Sequence, residues 1–97
     1  MRIMAWSLTW DEPKRQAALR DRGIDFADAN IVFAGPVFEF EDVREDYRER
    51  RMICFGLLAA RLVVVGYVQR GRKRHIFSMR KANEREKSRY EKRLEKT

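Results

Sequence analysis

The sequence predicts a small α+β domain, and three observations predict it. Helical signals crowd into the first third of the chain, period-two apolar alternation fills the middle, and an unbroken helical run closes it. At 97 residues the chain has length for one core and not for two, so residues 1–97 read as a single domain.

Each element has its own justification. Ile3 to Trp10 alternates weakly, as a short strand does. Asp11 then stands where an N-cap belongs, Pro13 falls in the first turn, and Lys14 to Arg22 is a helical run stopped by Gly23. Phe26, Ala29, Val32 and Phe33 recur at helical spacing, giving a second short helix over 26–33 that Gly35-Pro36 ends. Val37 to Glu41 alternates as a strand with one wet face, and the charged segment Asp42 to Arg50 reads as a loop or hairpin arm. Arg51 to Leu58 and Leu62 to Gln69 are strands around a turn at Ala59-Ala60-Arg61. Arg70-Gly71-Arg72 is a further turn, and Lys73 to Met79 is the last strand. From Asn83 to Lys96 nothing breaks a helix, and Ala82, Glu86, Tyr90 and Leu94 form a thin i, i+4 stripe on it.

Composition narrows the function. Residues 1–69 are nearly neutral, whereas residues 70–97 hold 12 basic and four acidic residues, which is the whole of the +7 excess and more. A segment so charged attracts a polyanion: nucleic acid, an anionic membrane or an acidic protein. Arginine outnumbers lysine 16 to 6, and its planar fork suits phosphate, although a GC-rich coding sequence gives the same bias. One cysteine, Cys54, and one histidine, His75, exclude a disulfide framework and make a structural zinc site untenable, so no metal and no cofactor is expected. The start of the chain lacks a secretory apolar run, and Phe55 to Val68 is too short and too interrupted by Arg61 to span a bilayer. A cytoplasmic protein with no membrane partner is the expectation.

Period-two alternation places Arg74, Ile76, Ser78 and Arg80 on one face of the last strand, with Lys73, His75, Phe77 and Met79 on the other. Two arginines bracketing a serine could grip a phosphate and offset charge that develops on it; equally, they could simply edge a strand that reaches solvent. Glu49 and Arg51, two apart, are a base beside a cation or an ordinary ion pair. Lys14 lies on the first helix, on what could be just a solvated face. His75 has the right ordinary pKa for proton transfer, yet alternation sets it beside Phe77 and Met79 as a half-buried structural residue. Cys54, between Ile53 and Phe55, reads as an inert core thiol.

Several segments together resemble one family. Trp10-Asp11-Glu12 with Lys14 matches a W-D-x-x-K opening, and Gly23-x-Asp25-Phe26-x-x-Ala29-x-x-Val32-Phe33 matches a G-x-D/S-F-x-x-A-x-x-V-F stretch. Asp46-Tyr47-Arg48-Glu49-x-Arg51 with Gly56 resembles D-Y-G-E-x-R…G, and Arg74-x-Ile76-x-Ser78-x-Arg80-Lys81-Ala82 with Glu86 and Tyr90 resembles an R-I-I-S-A-R-K-A ending. This is the pattern of the BrnT toxins of type II toxin–antitoxin systems. The resemblance implies a RelE-like fold, with a small antiparallel sheet packed by two N-terminal helices and a C-terminal helix. It implies a ribonuclease that inhibits translation and is neutralised by a BrnA-type ribbon-helix-helix antitoxin; with no plausible metal set in the chain, metal-independent cleavage is the expectation. A 2:2 heterotetramer that reaches operator DNA through the antitoxin is the implied assembly. Carried over by position, Glu49, Arg51, Arg74 and Arg80 are the candidate catalytic residues, with Glu49 as base; Lys14, Ser78 and Lys81 are the candidate RNA-binding residues. The chain departs from the pattern at Ala18, Arg22 and Arg48, where many relatives carry Asn, His and Gly. The alternatives from other classes are a non-enzymatic basic nucleic-acid-binding module and a subunit that only docks an antitoxin.

Overall fold

A computed structural model describes residues 5–95, with side chains through 94. Its elements are β1 (Ser7–Trp10), α1 (Glu12–Arg22), a single 3₁₀ turn (Phe26–Asp28), α2 (Ala29–Ala34), β2 (Val37–Glu41), β3 (Arg51–Leu58), β4 (Arg61–Arg70), β5 (Lys73–Lys81) and α3 (Glu84–Glu95). The expectation for Ile3 and Met4 lies outside the described residues, as does that for Lys96. The chain is α+β, with five strands in the order β1-β5-β4-β3-β2 and one helix after the sheet.

Local chemistry sets the boundaries. Asp11 takes the N-cap position of α1 in extended conformation without a side-chain cap, and Pro13 fits the first turn, whose amide hydrogens need no helical partner. Gly23 ends the helix at φ 66°, and its N–H donates to the Leu19 carbonyl at 3.1 Å. The expected second helix begins as the 3₁₀ turn because the Asp25 carboxylate accepts from the Ala27 N–H at 2.9 Å and tightens the entry. Segment 42–50 forms no strand. Ala59 and Ala60 carry φ values of 51° and 64°, which makes a two-residue hairpin turn between β3 and β4. Arg61 accordingly belongs to β4 and not to the turn.

The sheet is mixed rather than purely antiparallel. β2, β3, β4 and β5 run antiparallel in sequence, but β1 joins the β5 edge in parallel, Ser7 opposite Lys73 and Trp10 opposite Ile76. One face buries Ala18, Ile24, Phe26, Ala29 and Val32 against Cys54, Val63, Val65, Tyr67, Ile76 and Met79. The opposite face packs Leu94 and Ala82 with Phe55, Leu62 and Val64. There Tyr90 lies between Phe55 and Phe38, at ring-centroid distances of 4.3 and 5.1 Å, so the thin stripe of α3 is seated on the sheet. That helix covers only part of its face.

Candidate functional site

One extra residue in β5 decides what the open part of that face displays. Gly66 of β4 pairs with Ser78, the next residue Tyr67 pairs with Ile76, and Phe77 is left without a partner as a β-bulge. Strict alternation therefore fails across this strand. Ile76 and Met79, three apart, are both fully buried on the helix-packed face, and Arg74 lies on that face too. His75, Phe77 and Arg80 fall on the other. The glycine at position 66 makes the bulge possible, because a Cβ there would stand 2.6 Å from two carbons of the Phe77 ring.

The result corrects the sequence reading of this strand. Arg74 and Arg80 do not bracket one surface. The Arg74 guanidinium sits 3.7, 4.3 and 4.6 Å from the Trp6, Tyr67 and Phe33 rings, and its Nε donates to Gln69 Oε1 at 3.0 Å. It is an aromatic-caged cation on the core side. His75 and Met79, placed together by alternation, are on opposite faces.

On the second face, segment 42–50, the bulge and α3 enclose a cleft of about 600 Å³. Arg51, Ser78, Arg80, Arg85 and Arg89 line it, with Phe77 and Tyr90 as apolar walls. The Arg51 guanidinium is held between aromatic rings, 4.1 Å from Tyr47 and 4.8 Å from Phe77, so it reaches from β3 across β4 towards β5. Arg80 makes a bidentate pair with Glu86 at 2.8 and 2.9 Å. The same carboxylate accepts from the Asn83 N–H at 2.9 Å while the Glu86 N–H donates to Asn83 Oδ1 at 2.8 Å. That reciprocal cap starts α3, so Glu86 ties the helix to β5. Arg80 holds the Glu86 carboxyl below its ordinary pKa, with the Asn83 N–H adding to the effect. At the far rim Asp42 takes Arg44 at 2.8 Å and also Tyr47, which drives the Asp42 carboxyl well down and fixes the start of the loop.

A smaller cleft of about 270 Å³ lies between α1 and β5, lined by Lys14, Arg22, Phe77 and Ser78 among others. The two clefts share Phe77 and Ser78, so a line of cations runs from Arg85 past Arg51 to Lys14. Lys81 lines neither; it faces a third depression with Arg61 and Lys87. Glu49 borders the large cleft without lining it. Its two oxygens accept from Arg70 at 2.8 Å each, and this contact above all lowers its pKa. Burial pushes the Cys54 thiol up to about 12, consistent with an inert core group.

The departures have structural places. Ala18 is buried in the core, Arg22 donates to the Met79 carbonyl at 3.4 Å, and Arg48 adopts φ 64°, a conformation in which glycine is unstrained. Sequence reasoning missed Arg85 and Arg89 as site residues. Their i, i+4 spacing on the side of α3 that carries Tyr90 was the available signal. Among the described residues no three His, Cys, Asp or Glu side chains converge as a metal-binding set, and no helix is long and apolar enough to cross a membrane.

A search of curated proteins returned no match. Residues 10–86, which run from the end of β1 through the bulge to Glu86 and stop before Arg89 and Tyr90, match the model of the ribonuclease toxins, BrnT, of type II toxin–antitoxin systems; the chain belongs to that family.

Proposed function

We propose that this chain cleaves single-stranded RNA in the cleft between the bulge and α3, without a metal, and so inhibits translation. The observation that carries the reading is the convergence of Arg51, Arg80, Arg85 and Arg89 on one cavity beside Ser78. A phosphate entering there meets fixed cations where charge grows as the 2′-oxygen attacks, and such preorganised charge is the largest contribution in many enzymes. Arg51 and Arg80 offset that charge. Ser78, shared by the two clefts, and Lys14, on the smaller one, orient the strand, while Lys81 contacts RNA only further along it. Arg74 holds β1 and β5 together from the far side of the sheet. Glu49, occupied by Arg70 and lowered in pKa, is a weak base. A splayed single strand fits better than a duplex, because the walls offer rings for stacking.

The family membership supports an antitoxin partner. We assign it to the BrnA type, a ribbon-helix-helix protein that assembles 2:2 with a RelE-like toxin in the cytoplasm and carries the complex to operator DNA. The second reading, a basic module that binds nucleic acid without cutting it, draws on the two bidentate ion pairs that engage Glu49 and Arg80.

The test is expression from a tightly repressed promoter beside Arg80→Ala, with growth, bulk translation and cleavage of purified RNA in EDTA as readouts. Arrest by the parent alone, with both proteins folded and cleavage unaffected by EDTA, supports the reading. Binding that weakens in Arg80→Ala with no cleavage by either protein supports the binding module. Cleavage abolished by EDTA sinks the metal-independent mechanism.

A further inference from the structure

We propose that His75 is the proton acceptor for the attacking 2′-hydroxyl, positioned by Thr9. The inference rests on the RNA-cleaving reading of the cleft and deepens it.

Four residues form one row across the sheet: Thr9 of β1 opposite His75 of β5, His75 opposite Val68 of β4, and Val68 opposite Arg51 of β3. Residues in such a row share a face. Two strand spacings put the Cα atoms of Arg51 and His75 about 9.5 Å apart. The Arg51 side chain shortens that gap by crossing to the Phe77 ring, two residues from His75. His75 and Val68 line neither cleft, but the row runs up to Arg51, which lines the large one; a phosphate at that end of the cleft would have the guanidinium beside it and the imidazole beyond Val68.

The ring is oriented for the task. Nδ1 lies 2.9 Å from Thr9 Oγ1, and Nε2 has no partner among the described residues. Among the described residues no buried side-chain nitrogen or oxygen lacks a partner, so Nε2 is not a buried atom. A hydroxyl accepting from Nδ1–H can keep that bond in both the neutral and the charged ring, whereas a hydroxyl donating to Nδ1 would lose it on protonation. The first arrangement leaves the Nε2 lone pair free to take a proton.

The charges around the ring come from every neighbouring element. Burial first, then Arg70 of β4 and Lys14 of α1, disfavour the imidazolium; Glu49 of the loop and Asp11 before α1 favour it. The balance lies below the ordinary value and favours the neutral ring, the form that can accept a proton. In the step, the 2′-oxygen bonds to the adjacent phosphorus as its proton passes to Nε2. The bond from phosphorus to the 5′-oxygen breaks with its electron pair on that oxygen, which takes a proton from water. The products are a 2′,3′-cyclic phosphate and a free 5′-hydroxyl, and the imidazolium returns its proton to solvent.

His75 is the chain's one histidine, so its ring gives a single set of imidazole NMR signals. The full chain is titrated alone and with a single-stranded 2′-deoxy oligonucleotide, which binds and cannot be cut. The expected result is an Nδ1–H tautomer in the free protein, with a ring pKa that rises by about one unit when phosphate arrives. His75→Gln is expected to cleave RNA about 100-fold more slowly, with the loss in kcat rather than KM, and to lose the acid limb of the kcat/KM profile. Glu49→Gln, which removes a favourable charge, moves that limb to lower pH. A ring unmoved by a bound oligonucleotide, or His75→Gln cleaving with the parent's pH profile, overturns the proposal alone. A parent that neither binds the oligonucleotide nor cuts RNA overturns the cleft reading and the proposal with it.

Discussion

The two faces of this sheet are woven from the same five strands, yet they treat arginine in opposite ways. On the helix-packed face the half-buried Arg74 lies against Trp6, Phe33 and Tyr67, and its charge is engaged by their rings. On the other face Arg51 also lies against rings, but beside a cleft it shares with Arg80, Arg85 and Arg89. What separates them is cover. Two helices and β1 close the first face, while α3 leaves part of the second open. A cation with stacking partners on every side is structural; one stacked beside an opening is available to a ligand.

The sharpest way to break this comparison is to truncate one arginine on each face. Arg51→Ala is expected to cut RNA cleavage about 10²–10³-fold, equivalent to about 3–4 kcal/mol of transition-state stabilisation, with little change in Tm. Arg74→Ala is expected to cost about 1–3 kcal/mol of stability through lost ring contacts, with kcat of the folded fraction retained. Loss of kcat in a fully folded Arg74→Ala protein would erase the distinction between the faces.

Two glycines give a milder version. A Cβ at Gly56 would press on Val32 and Val37 in the closed layer, so Gly56→Ala is expected to lose about 1–3 kcal/mol in chemical denaturation. At Gly66 the obstacle is the Phe77 ring at the cleft, which can turn away. Gly66→Ala is therefore expected to weaken cleavage, by unseating Arg51 from its stack, more than it weakens the fold. Equal stability losses without an activity difference would show that the bulge is merely packing.

The smallest effect concerns acid. The Glu86 carboxyl is lowered chiefly by Arg80, so the ion pair contributes its full stability above the ordinary value of 4.5 and loses it as pH falls through the lowered one. Glu86→Gln is expected to flatten the decline in Tm below about pH 4.5. It should also loosen α3, since the same carboxylate caps that helix. An unchanged slope would mean that another carboxylate, such as Asp25 paired with Arg15, governs acid stability.

Much of the fold was legible because it is local. β2 and β3 have the bounds their alternation predicts, and Gly23 stops α1 in the left-handed conformation expected of it. Two things were not local. Nothing in Ser7 to Trp10 says that its sheet neighbour is β5 and that the pairing is parallel. The bulge at Phe77 depends on a glycine in another strand, so alternation within β5 alone misassigned Arg74 and His75. The site was legible as a set of residue types and less so as a set of positions. Arg51, Ser78 and Arg80 meet in the large cleft, Lys14 lines the smaller one, and Glu49, Arg74 and Lys81 lie elsewhere.

The pairing of β1 with β5 also sets a timetable. The ribosome makes His75 after Thr9, 66 residues later in sequence. Among the described residues β5 is the one strand beside β1, so this edge can close only after β5 has left the exit tunnel and at the cost of a long loop. Until then the row of Thr9, His75, Val68 and Arg51 does not exist. A nascent or truncated chain lacking β5 carries the arginines of segment 44–51 without the strand that brings Thr9 and His75 into line with them.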